Sequence, residues 1–401
     1  LAVSTLLALA ACASTEPEGS ASDGTPTGTL EILVSSAASS DAAFEKINEL
    51  FSAEYPDVEI KFSTVSNDNY PATQSSRLTA GNLDIFVSKV RPVPDYAADS
   101  TPGDVLLAQA GQIVDLTDES FTSNYTPTVL DSMKIDGKLF AVPTGLSYST
   151  GVYYNKTVFD EYGIAVPTTW TELQEAVATL EGNGETAFGM GGRDTWPAGL
   201  AMLGVVGSLY PSDQDKTDLA DALWNGDAAL DSGTPVEVLE KTQWVFEHAQ
   251  KNFSGSGYDE IPALFAAGDV AMTIDGTWNN PTILDAVGGD FEVGYFPLPA
   301  SDDAADNAYL NGKIELMLSV PEGAPNKDAA LAWLEFFSQP ENYTEFVNLA
   351  GYSPAQQGIA TSEFIDSIAP YTAEFRGAWE TIWVANNDAG QDAVYPFNYP
   401  A

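Results

Sequence analysis

The stretch Ile135–Leu173, IDGKLFAVPTGLSYSTGVYYNKTVFDEYGIAVPTTWTEL, decides how this chain is organised. Asp136-Gly137-Lys138 is a polar turn of the kind that joins two short strands. An apolar strand over Leu139–Val142 follows and is stopped by Pro143, and a second strand is expected over Val152–Tyr154, continued by Asn155 and Lys156. Pro167 and Thr169 then open a helix, with Thr169-x-x-Glu172 as a capping box and Leu173, Ala176, Val177 and Leu180 on one face. Between the strands, Thr144–Gly151 is rich in Gly, Ser and Thr and poor in anything that fills a core. That is the composition of a crossing between two lobes, a segment that bends.

Upstream, Leu30–Val34, a helix capped by Asp41 with Phe44, Ile47, Leu50 and Phe51 on one side, and Val58–Phe62 form a strand, helix and strand. That spacing makes the two strands parallel. A helix over Thr73–Ala80 and a strand over Leu83–Val87 continue an α/β lobe whose crevice lies beyond the carboxyl ends of its strands. The loops there, Ser35–Ser40, Ser63–Tyr70 and Ser88–Pro94, are rich in hydroxyls and amides. Downstream, Thr234-Pro235-x-Glu237 reads as a second capping box. Gly182-Asn183-Gly184 superficially matches a dinucleotide turn, but a helix precedes it rather than a strand, and the match fails.

The run GKLFAVP…YYNKTVFDEYGI…PTTWTEL resembles, in order and spacing, the corresponding region of the sugar-binding proteins of bacterial ABC importers, the maltose-binding-like family of extracellular receptors. Leu264–Trp278 (LFAAGDVAMTIDGTW) is similar to the family's helix, Gly-x-x-Ala-Met step, strand and Gly-x-Trp turn. Ala324–Asp328 (APNKD) starts a helix such as the family shows, with Ala330, Leu331, Leu334 and Phe337 at helical spacing. The resemblance spans roughly residues 29 to 365. It implies an α/β, two-lobe periplasmic-binding-protein-like (type II) fold with three interlobe crossings. The strands Phe291–Phe296 and Ile314–Val320 look like the second and third crossings. One lobe is expected to comprise 29–146 with 296–317, the other 147–295 with 318–401. Expected partners are an oligosaccharide and the permease subunits of an ABC importer, with no cofactor, no metal and no catalytic residue.

Residues Leu1–Ala11 (LAVSTLLALAA) are an apolar run of the length of a signal-peptide core, too short to span a bilayer. Leu9-Ala10-Ala11-Cys12 resembles a bacterial lipobox, which makes Cys12 a lipidation site and residues 13–28 (ASTEPEGSASDGTPTG) a flexible tether. Cys12 is the single cysteine, so this sequence holds no intrachain disulfide. These features place the protein outside the cytoplasm, anchored to the outer face of the cell membrane; a monomer is expected. With Lys+Arg 15 against Asp+Glu 58, the net charge is −43, which repels phosphates and argues against a nucleic-acid partner. Asp213-x-Asp215-x-x-Asp218-x-x-Asp221 lacks the glycine and terminal Glu of a calcium loop.

A sugar presents hydroxyls at its edge and C–H patches on its faces. A receptor therefore needs aromatic rings for the faces beside carboxylates, amides and a cation for the edge. Trp278, on the Gly-x-Trp turn beside Asp275, is the first candidate, because the matching tryptophan of the family stacks on ligand. Trp196 follows Arg193 and Asp194 in a Gly-rich loop, and Tyr148 lies in the crossing itself. Ser36, Asn67, Asp68 and Tyr70 are candidates from the first lobe's loops, and Asn311, Lys313 and Glu315 surround the third crossing. Phe375, Ala378, Trp379, Ile382 and Trp383 have the spacing of a helical core stripe, from which Trp379 reaches the cleft. Rival readings are a surface glycosidase using a pair among Asp194, Asp275 and Glu315, and an adhesin lipoprotein. The single His248, beside Glu247, reads as a surface residue.

Overall fold

The computed structural model describes residues 26–382 apart from 68, 195 and 230, so the lipobox with Cys12, Asp68 and Trp383 lie outside the described residues. Among the described residues eleven strands follow in chain order: β1 Gly28–Ser35, β2 Val58–Val65, β3 Ile85–Ser88, β4 Gly145–Tyr148, β5 Gly151–Asn155, β6 Phe188–Gly189, β7 Met272–Ile274, β8 Val293–Pro297, β9 Asn311–Glu315, β10 Met317–Ser319 and β11 Arg376–Gly377. They form three sheets, in the orders β10-β3-β1-β2, β11-β9-β4 and β6-β7-β5-β8.

β1 and β2 run parallel in register from Gly28–Val58 to Ser35–Val65, with the helix Ala38–Glu54 between them. Phe44, Ile47 and Phe51 recur at helical spacing and are fully buried, so one face of this helix supplies the first core. The helix begins at Ala38, three residues before the expected cap. Asp41 lies in its first turn, where the carboxylate accepts from the Ala37 N–H at 3.2 Å and the Ser36 hydroxyl at 2.6 Å.

The lobe boundaries differ from the sequence expectation in two places. β10 pairs antiparallel with β3, and Trp333, Phe337, Phe346 and Tyr352 share a core with Phe44. Residues 317–355 therefore belong with the first sheet rather than the second. Conversely, Leu298 and Ala300 pack in the second core and Leu310 in its satellite cluster. The reason is long-range pairing: β10 completes an edge of the first sheet that no local pattern announces.

In the sheet β6-β7-β5-β8, side chains alternate between two faces. Val152, Tyr154 and Phe296 enter one core while Tyr153 and Tyr295 enter the other, as the two-residue period of a strand requires. The expected crossing at Phe291–Phe296 is instead β8, an edge strand paired with β5. The chain passes between cores at β4–β5, at β9–β10, and in the segment joining Ala355 of the first core to Ile365 of the satellite cluster. Leu316, between β9 and β10, takes φ 31, a left-handed backbone unusual for a bulky residue.

The segment 144–151 is buried throughout, and half of it is strand β4. Three of its hydroxyls tie it to β9. Thr144 Oγ1 donates to the Glu315 carbonyl at 3.0 Å, Ser147 Oγ to the Glu315 carboxylate, and Thr150 Oγ1 accepts from the Asn311 N–H at 2.8 Å. Leu139–Val142 is not a regular strand, although Val142 exchanges backbone hydrogen bonds with Leu318. The helix expected over 375–383 is also absent from the described part. Gly377 N–H goes to Asp213 at 2.9 Å and Ala378 N–H to the Gly312 carbonyl at 2.8 Å, so the backbone joins the crossing sheet as β11.

Of the two capping boxes, Thr169 accepts from the Glu172 N–H at 3.2 Å, while Glu172 reaches back to Thr168 at 2.8 Å. The second is not formed: Gly233 is the cap and Glu237 pairs with Lys241 at 3.0 Å. A complete box that the sequence reading passed over joins Ser212 and Asp215.

Candidate functional site

The turn after β7 is held at every step. The carbonyl of Asp275 accepts from the Tyr295 hydroxyl at 2.8 Å, and that of Gly276 from the Tyr153 hydroxyl at 3.1 Å. Thr277 Oγ1 accepts from the Tyr148 N–H at 3.0 Å. The carbonyl of Trp278 accepts from Ser39 Oγ at 3.0 Å, a bond from the first lobe's leading helix. Trp278 is thereby fixed where the lobes meet, and its half-buried ring packs against both cores. Its indole folds over Gly276, where a Cβ would fall 2.0 Å from a ring carbon. This close approach is the physical reason for glycine two residues before the tryptophan.

The indole Nε1 donates to the Tyr258 hydroxyl at 2.9 Å, and that hydroxyl donates to Asp275 Oδ1 at 3.1 Å. Asp275 also accepts from the Gly276 N–H at 2.7 Å and Asn279 Nδ2 at 2.6 Å. Burial outweighs these donors and pushes the Asp275 carboxyl up to about 7.

Tyr258 is carried by a loop that packs on the Gly-rich segment after β6. A Cβ at Gly192 would lie 2.8 Å from the Cα of Ser254, so the two backbones touch there. Asp194 accepts from the Tyr258 N–H at 2.7 Å, and Arg193 Nη1 donates to Glu260 at 3.0 Å. Both side chains thus pin the loop that bears the tyrosine. Trp196 opens the helix Trp196–Leu209 with its ring 4.5 Å from Tyr258 and 6.4 Å from Trp278. Trp196, Tyr258 and Trp278 together make an aromatic wall.

Opposite the wall stands Lys313 of β9. Its Nζ lies 4.8 Å from the Trp278 ring centre and 3.6 Å from both Glu315 and Glu380. Nearby, Arg91 Nη1 donates to the Thr381 carbonyl at 2.6 Å, a second tie between the first lobe and the chain's later segment.

Residues 35–344 match the family described as bacterial extracellular solute-binding protein. The chain belongs to this family. Among curated solute-binding proteins, the multiple sugar-binding protein of Streptococcus mutans is 23% identical over 326 residues, covering 80% of this chain and 73% of that protein. A solved structure of RafE in complex with raffinose matches with a TM-score of 0.72 at 23% identity, over 86% of this chain and 87% of that one. A chitin oligosaccharide binding protein matches with a TM-score of 0.73 at 20% identity, over 89% and 90%. The structural likenesses show the two-lobe α/β fold, and the family and these neighbours are binding proteins.

In this solute-binding protein, the structure brings Trp278, Trp196, Asp275, Asp194, Arg193, Lys313 and Glu315 into one region, and leaves others apart. Tyr70 is buried in the first lobe, its hydroxyl 2.8 Å from the Val87 carbonyl, and burial holds its phenol well above the usual range. The Tyr148 ring packs in the satellite cluster beside Phe375, where burial pushes its phenol up to about 12, and it meets the site through its backbone, the N–H donating to Thr277 Oγ1. Ser36 is spent on Asp41, and Asn67 is an exposed loop residue. Asn311 is buried, accepting from Lys216 Nζ at 2.7 Å, and Trp379 is buried in the second core.

Tyr258, Glu380 and Arg91 escaped the sequence reading. For Tyr258 the signal was present: an aromatic after Gly255-Ser256-Gly257, the same glycine-loop setting as Trp196. The carboxylates of the enzymatic reading each have their own partners. Asp275 is buried by Tyr258 and Asn279, Asp194 holds the Tyr258 loop, and Glu315 holds Ser147. Asp213 and Asp215 start the helix Asp213–Asn225, and among the described residues no cluster of His, Cys, Asp and Glu could hold a metal. No helix among those residues is long and apolar enough to cross a membrane. His248 is half-buried, its ring 4.3 Å from Trp244 and Nδ1 2.7 Å from Glu181.

Proposed function

We propose that this solute-binding protein captures a carbohydrate, most simply an oligosaccharide, between its lobes and delivers it to the permease of an ABC importer. The observation that carries the reading is Trp278: a ring fixed at the lobe junction, beside two further aromatics and facing a Lys–carboxylate cluster. Indole and phenol faces bury the C–H patches of a sugar, while Lys313, Glu315 and Glu380 offer donors and acceptors to its hydroxyls. Each hydrogen bond contributes only about 0.5–1.5 kcal/mol net, so ring burial must supply much of the affinity. The names of the similar proteins, one for multiple sugars and one solved with raffinose, point the same way.

In this reading the sugar docks on one lobe and the other closes, because the ligand binds the closed form more tightly than the open one. Ser39 and Arg91 already reach across the junction, which is the geometry closure would use. The closed form then signals occupancy to the permease. Lipid on Cys12 would hold the monomer at the outer face of the membrane, with the residues between it and β1 as its tether. Incubation of the pure protein with a panel of α- and β-linked oligosaccharides tests the reading. Saturable tryptophan quenching without product supports a receptor; turnover of any sugar points to a glycosidase instead.

A further inference from the structure

The hydrogen bonds behind the aromatic wall have a fixed direction. An indole Nε1–H can only donate, and an ionised carboxylate can only accept. The hydroxyl of Tyr258 lies between them, 2.9 Å from Trp278 Nε1 and 3.1 Å from Asp275 Oδ1. It must accept from the indole, and with Asp275 ionised it gives its own proton to the carboxylate. The two remaining donors on Asp275, the Gly276 N–H and Asn279 Nδ2, hold the carboxylate's plane. The phenol is anchored from its other end as well, through the Tyr258 N–H to Asp194 at 2.7 Å and ring contact with Trp196 at 4.5 Å.

We propose that Tyr258 is a positioning residue of the ligand platform: Asp275 orients the Tyr258 hydroxyl, and that hydroxyl sets the tilt of the Trp278 indole. The backbone bonds from Tyr295, Tyr153 and Ser39 fix where Trp278 begins but leave its side-chain torsions free. The bond at Nε1 removes that freedom at the far end of the ring. A tryptophan held in advance at the angle that a sugar face requires loses less entropy on binding. Burial and the Asp275 charge hold the Tyr258 phenol well above its ordinary range, so it remains a protonated donor at neutral pH. Asp275 is buried behind the turn and acts through the tyrosine.

The inference rests on the sugar-binding reading for its purpose, but its geometry can be read without any ligand. In protein labelled with ¹⁵N-tryptophan, the Trp278 Nε1–H resonance, assigned by Trp278→Phe, should be displaced from free indole and exchange slowly with solvent. Tyr258→Phe and Asp275→Ala should each move it toward the free-indole position and speed its exchange, although Asp275 makes no direct bond to the indole. Tyr162→Phe, which removes a surface hydroxyl bonded to Glu185, serves as the control and should leave it in place. Where a sugar that binds has been found, Tyr258→Phe should weaken it about three- to tenfold while far-UV dichroism stays unchanged. A rapidly exchanging Nε1–H in the unmodified protein would overturn the proposal. So would an unmoved resonance in a folded Tyr258→Phe or Asp275→Ala variant. Failure of every sugar to bind, with the resonance behaving as described, would remove the sugar reading and leave the relay standing.

Discussion

The Nζ of Lys313 stands 4.8 Å from the centre of the Trp278 ring, so a cation on a crossing strand caps the tryptophan that projects from the second lobe. The same nitrogen lies 3.6 Å from Glu315 and 3.6 Å from Glu380. One ammonium thus compensates two carboxylates on separate strands of chain. Replacing it leaves those charges facing each other in a partly buried setting, where an unmet charge costs about 1–3 kcal/mol. Lys313→Met should lower the melting temperature by several degrees, and adding Glu380→Gln should recover part of the loss. Thermal melts of both variants at low salt check this; equal melting temperatures for Lys313→Met and the unmodified protein would refute it.

Gly276 has φ −81 and ψ 161, an extended backbone open to any residue, so its requirement for glycine is purely one of space. An added Cβ would meet the Trp278 ring at 2.0 Å. Gly276→Ala should therefore displace the indole with little backbone strain, weakening sugar binding about tenfold, or roughly 1.4 kcal/mol. A fold that stays intact by dichroism, with affinity reduced in calorimetry, is the expected result. Unchanged affinity would mean that the indole face is not part of the site.

Asp275 gives a pH signature. Its carboxyl is pushed up to about 7 in the fold by burial, above the ordinary value of 3.8. Between those values the folded form holds a proton that the unfolded chain has lost, so the group's contribution to stability falls as pH rises through that window. Above about pH 7 the loss is complete and flat. Asp275→Asn has no such titration. The melting temperature of the variant relative to the unmodified protein should rise from pH 4.5 to 7 and then level off. The limiting slope is roughly 1.4 kcal/mol per pH unit. A difference that does not vary with pH would place Asp275 in an ordinary, solvated state.

The first lobe was legible because its signals are local. The helix Ala38–Glu54 carries Phe44, Ile47 and Phe51 at helical spacing between two strands, and parallel pairing follows from the connection. Trp278 stood out because its Gly-x-Trp turn resembles the family's, and the structure sets that turn directly after β7. What failed was long-range. Nothing near Met317 announces that β10 will pair with β3, so the lobe boundary was misplaced. The stripe from Phe375 to Trp383 has helical periodicity, yet Gly377 and Ala378 give their amides to Asp213 and Gly312 and the backbone follows β9. Tyr70 and Tyr148 sit in or beside polar segments with rings turned inward, and sequence position does not say to which side a loop aromatic turns. Tyr258 depends on the contact between its loop and Gly192, which only the folded chain creates.

Calorimetric titration of the protein and of Trp278→Ala with the same oligosaccharide panel puts the reading to its most direct trial. We expect at least one sugar to bind the unmodified protein with one-to-one stoichiometry and no turnover. We expect Trp278→Ala to bind it at least about tenfold more weakly with a nearly unchanged melting temperature. Equal affinity in the two proteins, or no heat from any sugar, would contradict a carbohydrate site built on this tryptophan.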